Sequence, residues 1–287
     1  MNDDDLRKGF VEAIRRAVTV LPEDVVAAIA HARERESEYS ARSQLDMMVE
    51  NVEIAREKSV PICQDTGVLV FYIEGDFSNP LLTRLPTIIS DAVAEATVSV
   101  PLRPNAVHPF DGVNTGNNLG RFMPQINWTP SDTGRVVVRL QVKGAGSENC
   151  SALAMLSPIS GLRGVKRFVL DHVAGCAGRP CPPGIIAVGL GGGSDMAMSL
   201  AKRALLRSIG ERHIEDAVAE FELQLLGLIN AIGIGPMGVG GETTCLDVHV
   251  DYAHRHTASL PVAIAYQCWA DRRATVTIDA DGTVEVV

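Results

Sequence analysis

Apolar positions recur at helical spacing through the first part of the chain: Leu6, Phe10 and Ile14 stand four apart, the signature of one buried helix face. Leu21-Pro22-Glu23-Asp24 follows as a helix start, with proline and acids where a first turn tolerates them. A third helix is predicted over 39–55, with Leu45, Met48, Val49 and Val52 on one side, so residues 1–59 read as helical. The period then shortens. Runs at 68–73 (VLVFYI) and 135–142 (RVVVRLQV) predict strands, and 86–98 predicts a helix between them.

The second half predicts a strand at 185–190 running into Gly191-Gly192-Gly193-Ser194, a helix to about 207, and a longer amphipathic helix over 211–229. Strands follow at 245–250 and 262–266. The tail, 274–278 and 283–287 around Asp281-Gly282, reads as a hairpin. The expected class is α/β, with mixed sheets flanked by helices behind an N-terminal helical segment, and no repeat or low-complexity segment appears. With 26 glycines and 15 prolines scattered between periodic segments, the pattern predicts one continuous domain over 1–287.

Charge narrows the function classes. A net charge of -9 without a basic stripe argues against nucleic acid as a partner. The acidic start, Met1 to Asp5, lacks the apolar region of a secretory signal, and no apolar run is long enough for a bilayer. A soluble, cytoplasmic protein with no membrane contact is expected, its six cysteines reduced or serving as ligands.

Three cysteines have distinctive settings. Cys63 lies in Pro61-Ile62-Cys63-Gln64-Asp65-Thr66-Gly67, Cys181 in Arg179-Pro180-Cys181-Pro182-Pro183-Gly184, and Cys268 ends an apolar strand at Tyr266-Gln267-Cys268-Trp269. They are far apart in sequence, unlike the close pairs of zinc fingers, so a shared metal would be assembled by folding. A buried core role is the ordinary alternative for any one thiol. Cys176 and Cys181 make a C-x4-C pair but lack the C-x2-C continuation of a plant-type cluster. Cys150 and Cys245 read as packing residues.

Other segments leave two readings open. The glycines at 189 and 191–193 suit an anion cradle or, better, close backbone packing, since neither dinucleotide nor P-loop spacing is met. Lys143-Gly144-Ala145-Gly146 suits carboxylate binding by backbone N–H groups or a plain polar turn. Arg103, between Pro101 and Pro104, suits bidentate carboxylate recognition or simple exposure. His254 and His256 alternate as a metal pair would, or serve as loop histidines.

Taken in order, PICQDTG at 61–67, PNAVHPFDGVNTGNN at 104–118, KGAGSENCSAL at 143–153, CPPGIIAVGLGGG at 181–193, LAKRALLR at 200–207, GIGPMGVGGETT at 233–244 and HTASLPVAIAYQCWADRRA at 256–274 resemble one family. It is the class I iron–sulfur fumarase and L(+)-tartrate dehydratase family, in its alpha subunit or N-terminal domain. The resemblance implies that fold and a [4Fe-4S] cluster on Cys63, Cys181 and Cys268, its fourth iron acting as a Lewis acid. It further implies that Gln64, Arg103 and the Gly146 N–H grip substrate carboxylates, while Asp65 and His256 orient water or substrate and shuttle a proton.

In the family the base that takes the carbon-bound proton belongs to a further domain, which this sequence does not contain, so a separate beta subunit and a hetero-oligomer are expected. The activity implied first is hydration of fumarate to malate, with L(+)-tartrate dehydration and mesaconate hydration as alternatives. Trp269, His108 and Cys150 stand where the family usually has His, Asp and Met, which bears on substrate identity. A non-catalytic iron–sulfur sensor or carrier would use the thiols but not Arg103, Gln64 or Asp65, and a non-catalytic scaffold would keep its thiols in the core.

Overall fold

The computed structural model describes residues 2–287. In chain order the elements are α1 (Asp3–Thr19), α2 (Glu23–Arg35), α3 (Tyr39–Lys58), β1 (Val68–Gly75), α4 (Leu85–Ser99), β2 (Gln125–Pro130), β3 (Val136–Lys143), α5 (Ala145–Glu148), β4 (Ala152–Leu156), α6 (Gly161–Cys176), β5 (Gly184–Gly192), α7 (Ser194–Ala204), α8 (Asp216–Asn230), β6 (Cys245–Arg255), β7 (Leu260–Gln267), β8 (Arg273–Ile278) and β9 (Val284–Val286). The class is α/β, with two mixed sheets flanked by helices behind N-terminal helices. Met1, the first residue of the predicted helical stretch, lies outside the described residues.

Two compact units divide the chain. The first comprises the chain up to Pro22, Asn51–Gly144 and Arg272–Val287. Its sheet runs β2-β1-β3-β8-β9, parallel only between β1 and β2. Alternation along β1 and β3 puts Leu69, Phe71, Ile73, Val138, Leu140 and Val142 on one face, where α1 and α4 close the core through Phe10, Ile14, Ile89 and Val93. Phe10 meets Phe71 edge-on at 6.4 Å between ring centres. The register pairs Val68 with Lys143 and Gln141 with Arg273. One end of the sheet therefore collects the start of β1, the end of β3 and the start of β8.

The second unit comprises Glu23–Glu50 and Ala145–Asp271. Its sheet runs β4-β7-β5-β6, with β5 and β6 parallel and the other pairs antiparallel. Val165, Val169 and Val173 of α6, with Phe221, Leu225 and Ile229 of α8, pack on one face against Ile186, Val188, Val248 and Ile264. Small residues serve the other face: Ala197, Ala201 and Ala204 of α7 lie on Ile185, Ala187, Ala263 and Ala265. A side chain on Gly189 would put its Cβ 1.9 Å from the Ala197 carbonyl oxygen. Close helix–strand approach is thus what this glycine serves, as expected from the sequence.

The elements differ from expectation in informative places. α8 starts at Asp216 rather than 211, because the preceding loop is tied to β6: Arg207 Nη2 donates to the Val250 carbonyl at 2.9 Å, and Arg212 pairs with buried Asp247. Strand β6 runs on to Arg255, five residues past the predicted end, through its parallel ladder with β5. Helix α6 is an addition to the expected elements, with Val165, Val169 and Val173 carrying its spacing. Among the described residues no helix is long and apolar enough to cross a membrane.

Candidate functional site

In the first unit, residues 63–67 link α3 to β1 without regular structure, so side chains rather than a ladder hold them. Buried Ile62 anchors the entry, its N–H donating to the Val18 carbonyl at 2.9 Å. The Asp65 carboxylate accepts the Gly67 N–H at 2.9 Å, an Asx turn that shapes the exit. Buried Thr66 accepts the Arg103 N–H on its Oγ1 at 2.9 Å. Asn105 Nδ2 donates to the Gly67 carbonyl at 2.7 Å, and Asn118 Nδ2 to the Arg103 carbonyl at 3.1 Å. This unit therefore gathers Cys63, Gln64, Asp65 and Arg103. Cys63 and Asp65 are half-buried, while Gln64 and Arg103 are exposed.

Two buried cations stand at the same sheet end: Lys143, 4% exposed, closes β3, and Arg272, 1% exposed, precedes β8. Burying a cation is expensive without matched acceptors. Arg272 Nη1 donates to the Asp65 main-chain carbonyl at 2.7 Å. Arg272 lies within the 256–274 motif, and the family resemblance implies no role for it. The available signal was a charged Asp271-Arg272-Arg273 run directly after an apolar strand.

In the second unit, sheet register does the work. β5 and β7 pair Ile185 with Gln267, so Cys181, just before β5, and Cys268, just after β7, share one end. The Trp269 N–H donates to the Cys181 carbonyl at 3.1 Å. A Cβ on Gly184 would lie 2.1 Å from the Gln267 carbonyl oxygen and 3.3 Å from the Cys268 Cα, so the approach of the two segments requires glycine there. Gly146 joins them: a Cβ on it would sit 3.3 Å from the Arg179 carbonyl oxygen. Arg179 in turn caps α6, Nη2 donating to the Gly175 carbonyl at 2.9 Å and Nε to that of Cys176 at 3.2 Å.

The remaining thiols have a different character. Cys150, Cys176 and Cys245 are buried in the α6/α8 core, whereas Cys63, Cys181 and Cys268 are half-buried. Burial, and then the charge of Asp247, push the Cys245 thiol far above its ordinary range, although its Sγ donates to the Asp247 carbonyl at 2.7 Å. Such a group is a poor source of thiolate. The sequence pair Cys176 and Cys181 is thus one core cysteine and one half-buried cysteine.

His254 and His256 stand at the opposite end of this sheet. β7 alone, eight residues from Leu260 to Gln267, separates the His256 turn from Cys268, which at strand rise is on the order of 25 Å. His256 is exposed and its Nδ1 accepts the Ala258 N–H at 3.1 Å. Arg255 Nη1 closes the same turn on the carbonyls of His256, Thr257 and Ser259 at 3.0 to 3.2 Å. The unit does not bring this histidine to its own thiols. A cavity of about 630 Å³ also opens at that far end, lined by Leu162, Leu190, Phe221, Tyr252 and Arg255. Its lining is mostly apolar, unlike a site for a diacid. Among the described residues, no three His, Cys, Asp or Glu side chains gather around a single metal-ion position.

A family model described as fumarate hydratase (Fumerase) matches residues 7–277. A Methanocaldococcus jannaschii protein named "Putative L(+)-tartrate dehydratase subunit alpha" is 46% identical over 275 residues, covering 94% of this chain and 96% of its own. The L(+)-tartrate dehydratase subunit alpha of Escherichia coli K12 is 36% identical over 268 residues, covering 93% of this chain and 88% of its own. A Shigella sonnei protein of the same name matches to the same extent. A match over most of the chain, joined to relatives well above 30% identity, settles the relationship: this chain belongs to the fumarate hydratase (Fumerase) family.

Proposed function

We propose that the chain is the alpha subunit of a hydro-lyase that removes water from a small hydroxylated dicarboxylate, L(+)-tartrate ahead of malate. The observation that carries this reading is the near full-length likeness to proteins named as tartrate dehydratase alpha subunits. It reverses the order given by the sequence alone, in which fumarate hydration came first. The fumarate reading stays second, on the description of the family model.

Cys63, Cys181 and Cys268 would hold the [4Fe-4S] cluster. Supporting this, two of them are half-buried at one sheet end, while the other three cysteines are core residues. A cubane takes its three thiolates on three different irons, so its ligands need not crowd round one ion. When bound, the cluster supplies a Lewis-acid iron for the hydroxyl that leaves.

The chain's own groups do the rest. The Arg103 guanidinium and the Gln64 amide donate to substrate carboxylate oxygens, and the Gly146 N–H adds a backbone donor. Asp65 holds a proton or orients the departing water from its half-buried carboxylate. Within its unit His256 stands a strand's length from Cys268, so any proton it handles is handled away from Cys181 and Cys268. The base for the carbon-bound proton would come from a beta subunit, in keeping with relatives named as alpha subunits.

The deciding experiment is an anaerobic assay of the chain, reconstituted with iron and sulfide and co-expressed with its beta chain, against both tartrate enantiomers, fumarate and mesaconate. The proposal expects turnover of L(+)-tartrate with a kcat/KM above that for every other acid. Preference for fumarate would install the second reading, and a cluster-loaded pair inert to all four acids would defeat both.

A further inference from the structure

Among the described residues Arg272 is the largest fully buried side chain, and its guanidinium lies against a loop rather than within the apolar core. Its own main-chain carbonyl accepts the Val142 N–H at 2.9 Å, which fixes its backbone to β3. Nη1 reaches the Asp65 carbonyl at 2.7 Å, whereas Nε is buried without a hydrogen-bond partner. An orphaned buried donor is costly, so an arginine kept here for packing alone would be a poor choice. Gly144 completes the contact: a Cβ on it would come 3.1 Å from Asp65 Oδ2 and 3.4 Å from Arg272 Nη2. Asp65 is thereby held at its carbonyl by Arg272 and at its carboxylate by the Gly67 N–H.

We propose that Arg272 is a positioning residue: its buried guanidinium grips the Asp65 main-chain carbonyl and so fixes the 63–67 loop that presents Cys63, Gln64 and Asp65. Its relevance to catalysis rests on the functional reading above. The loop has no ladder of its own, and one charged donor on its central carbonyl restricts the backbone on both sides of Asp65. A lysine could supply the charge but not the rigid planar fork, so Arg272→Lys is not a conservative replacement here.

The test is hydrogen exchange read by mass spectrometry on the full chain, which needs neither cluster nor partner. In Arg272→Met and Arg272→Lys, exchange in the peptide covering 62–67 rises about tenfold or more, while peptides from β1, β3 and β8 stay within about twofold of wild type. Unchanged exchange at 62–67 overturns the proposal. So does equal acceleration across all of the first unit's strands, the mark of a merely structural arginine. Should the arginine variants fail to fold, Gly144→Ala decides: its backbone is outside the left-handed region, and a rise of about two- to fivefold confined to the same peptide is expected. No local rise in that variant defeats the idea.

Steady-state kinetics of the reconstituted pair separate this inference from the functional reading. Arg272→Lys is expected to lower kcat and raise KM together, because the loop carries both carboxylate-binding and proton-handling groups. A loosened loop beside a wild-type pair inert to every dicarboxylate refutes the hydro-lyase reading and leaves the positioning role standing.

Discussion

The two units hold their candidate residues by different physics. In the first, Cys63, Gln64 and Asp65 sit on an irregular loop kept in shape by individual side-chain bonds from Thr66, Asn105 and Arg272. In the second, Cys181 and Cys268 sit where two paired strands begin and end, so a whole antiparallel ladder sets their separation. A strand end spreads its support over many bonds, while the loop depends on a few. Single substitutions should therefore disturb the first far more selectively than the second.

The sharpest break of that comparison is at the thiols themselves. Cys63→Ser, Cys181→Ser or Cys268→Ser is expected to abolish the visible iron–sulfur absorbance of the reconstituted chain, and Cys176→Ala or Cys245→Ala to retain it. Loss of the cluster on replacing Cys176 with Cys181 dispensable would reverse the assignment.

Next in size is Glu222→Ala. Glu222 is fully buried and takes Arg207 and Arg212 on its two oxygens, with the N–H groups of Val250 and His213. Removing it takes away the carboxylate that faces Arg207, leaves Arg212 with Asp247 alone, and leaves the Val250 and His213 N–H groups without their acceptor, for a loss of about 3–5 kcal/mol in urea unfolding. The damage should fall on the second unit and leave exchange at 62–67 unchanged.

Thr66→Val ranks third. It removes the acceptor of the Arg103 N–H, at a cost of about 1–3 kcal/mol if that group stays dry. KM should rise more than kcat falls, since Arg103 binds rather than reacts; equal effects on both would contradict that division of labour.

The smallest effect is confined to acid. Burial raises the Asp247 carboxyl, but the hydrogen bond from His249, then the Gly210 N–H and Arg212, outweigh it and leave the group below the ordinary carboxylate range. A depressed carboxylate stabilises the fold above its unfolded value of about 3.9, and that stability is lost as pH falls through the lower folded value. The melting-temperature advantage of wild type over Asp247→Asn should accordingly be flat near neutrality and shrink only below about pH 4. Shrinkage on raising the pH from neutral would show the sign to be wrong.

The local elements were legible from residue order. Period and turn chemistry carry α1, β1, α7 and the Asp-Gly hairpin, and the nearby prolines Pro61, Pro180 and Pro182 set Cys63 and Cys181 apart from the core thiols. These signals lie within a few residues of what they describe. Which loops share a sheet end was not legible, because strand order and register come from pairings between distant segments. Only tertiary structure turned His256, twelve positions from Cys268, into a residue of the opposite sheet end, and turned Arg272 from one charge in a run into a buried grip on Asp65. A β-strand carries its two ends apart in proportion to its length, while folding brings together side chains that the chain itself separates.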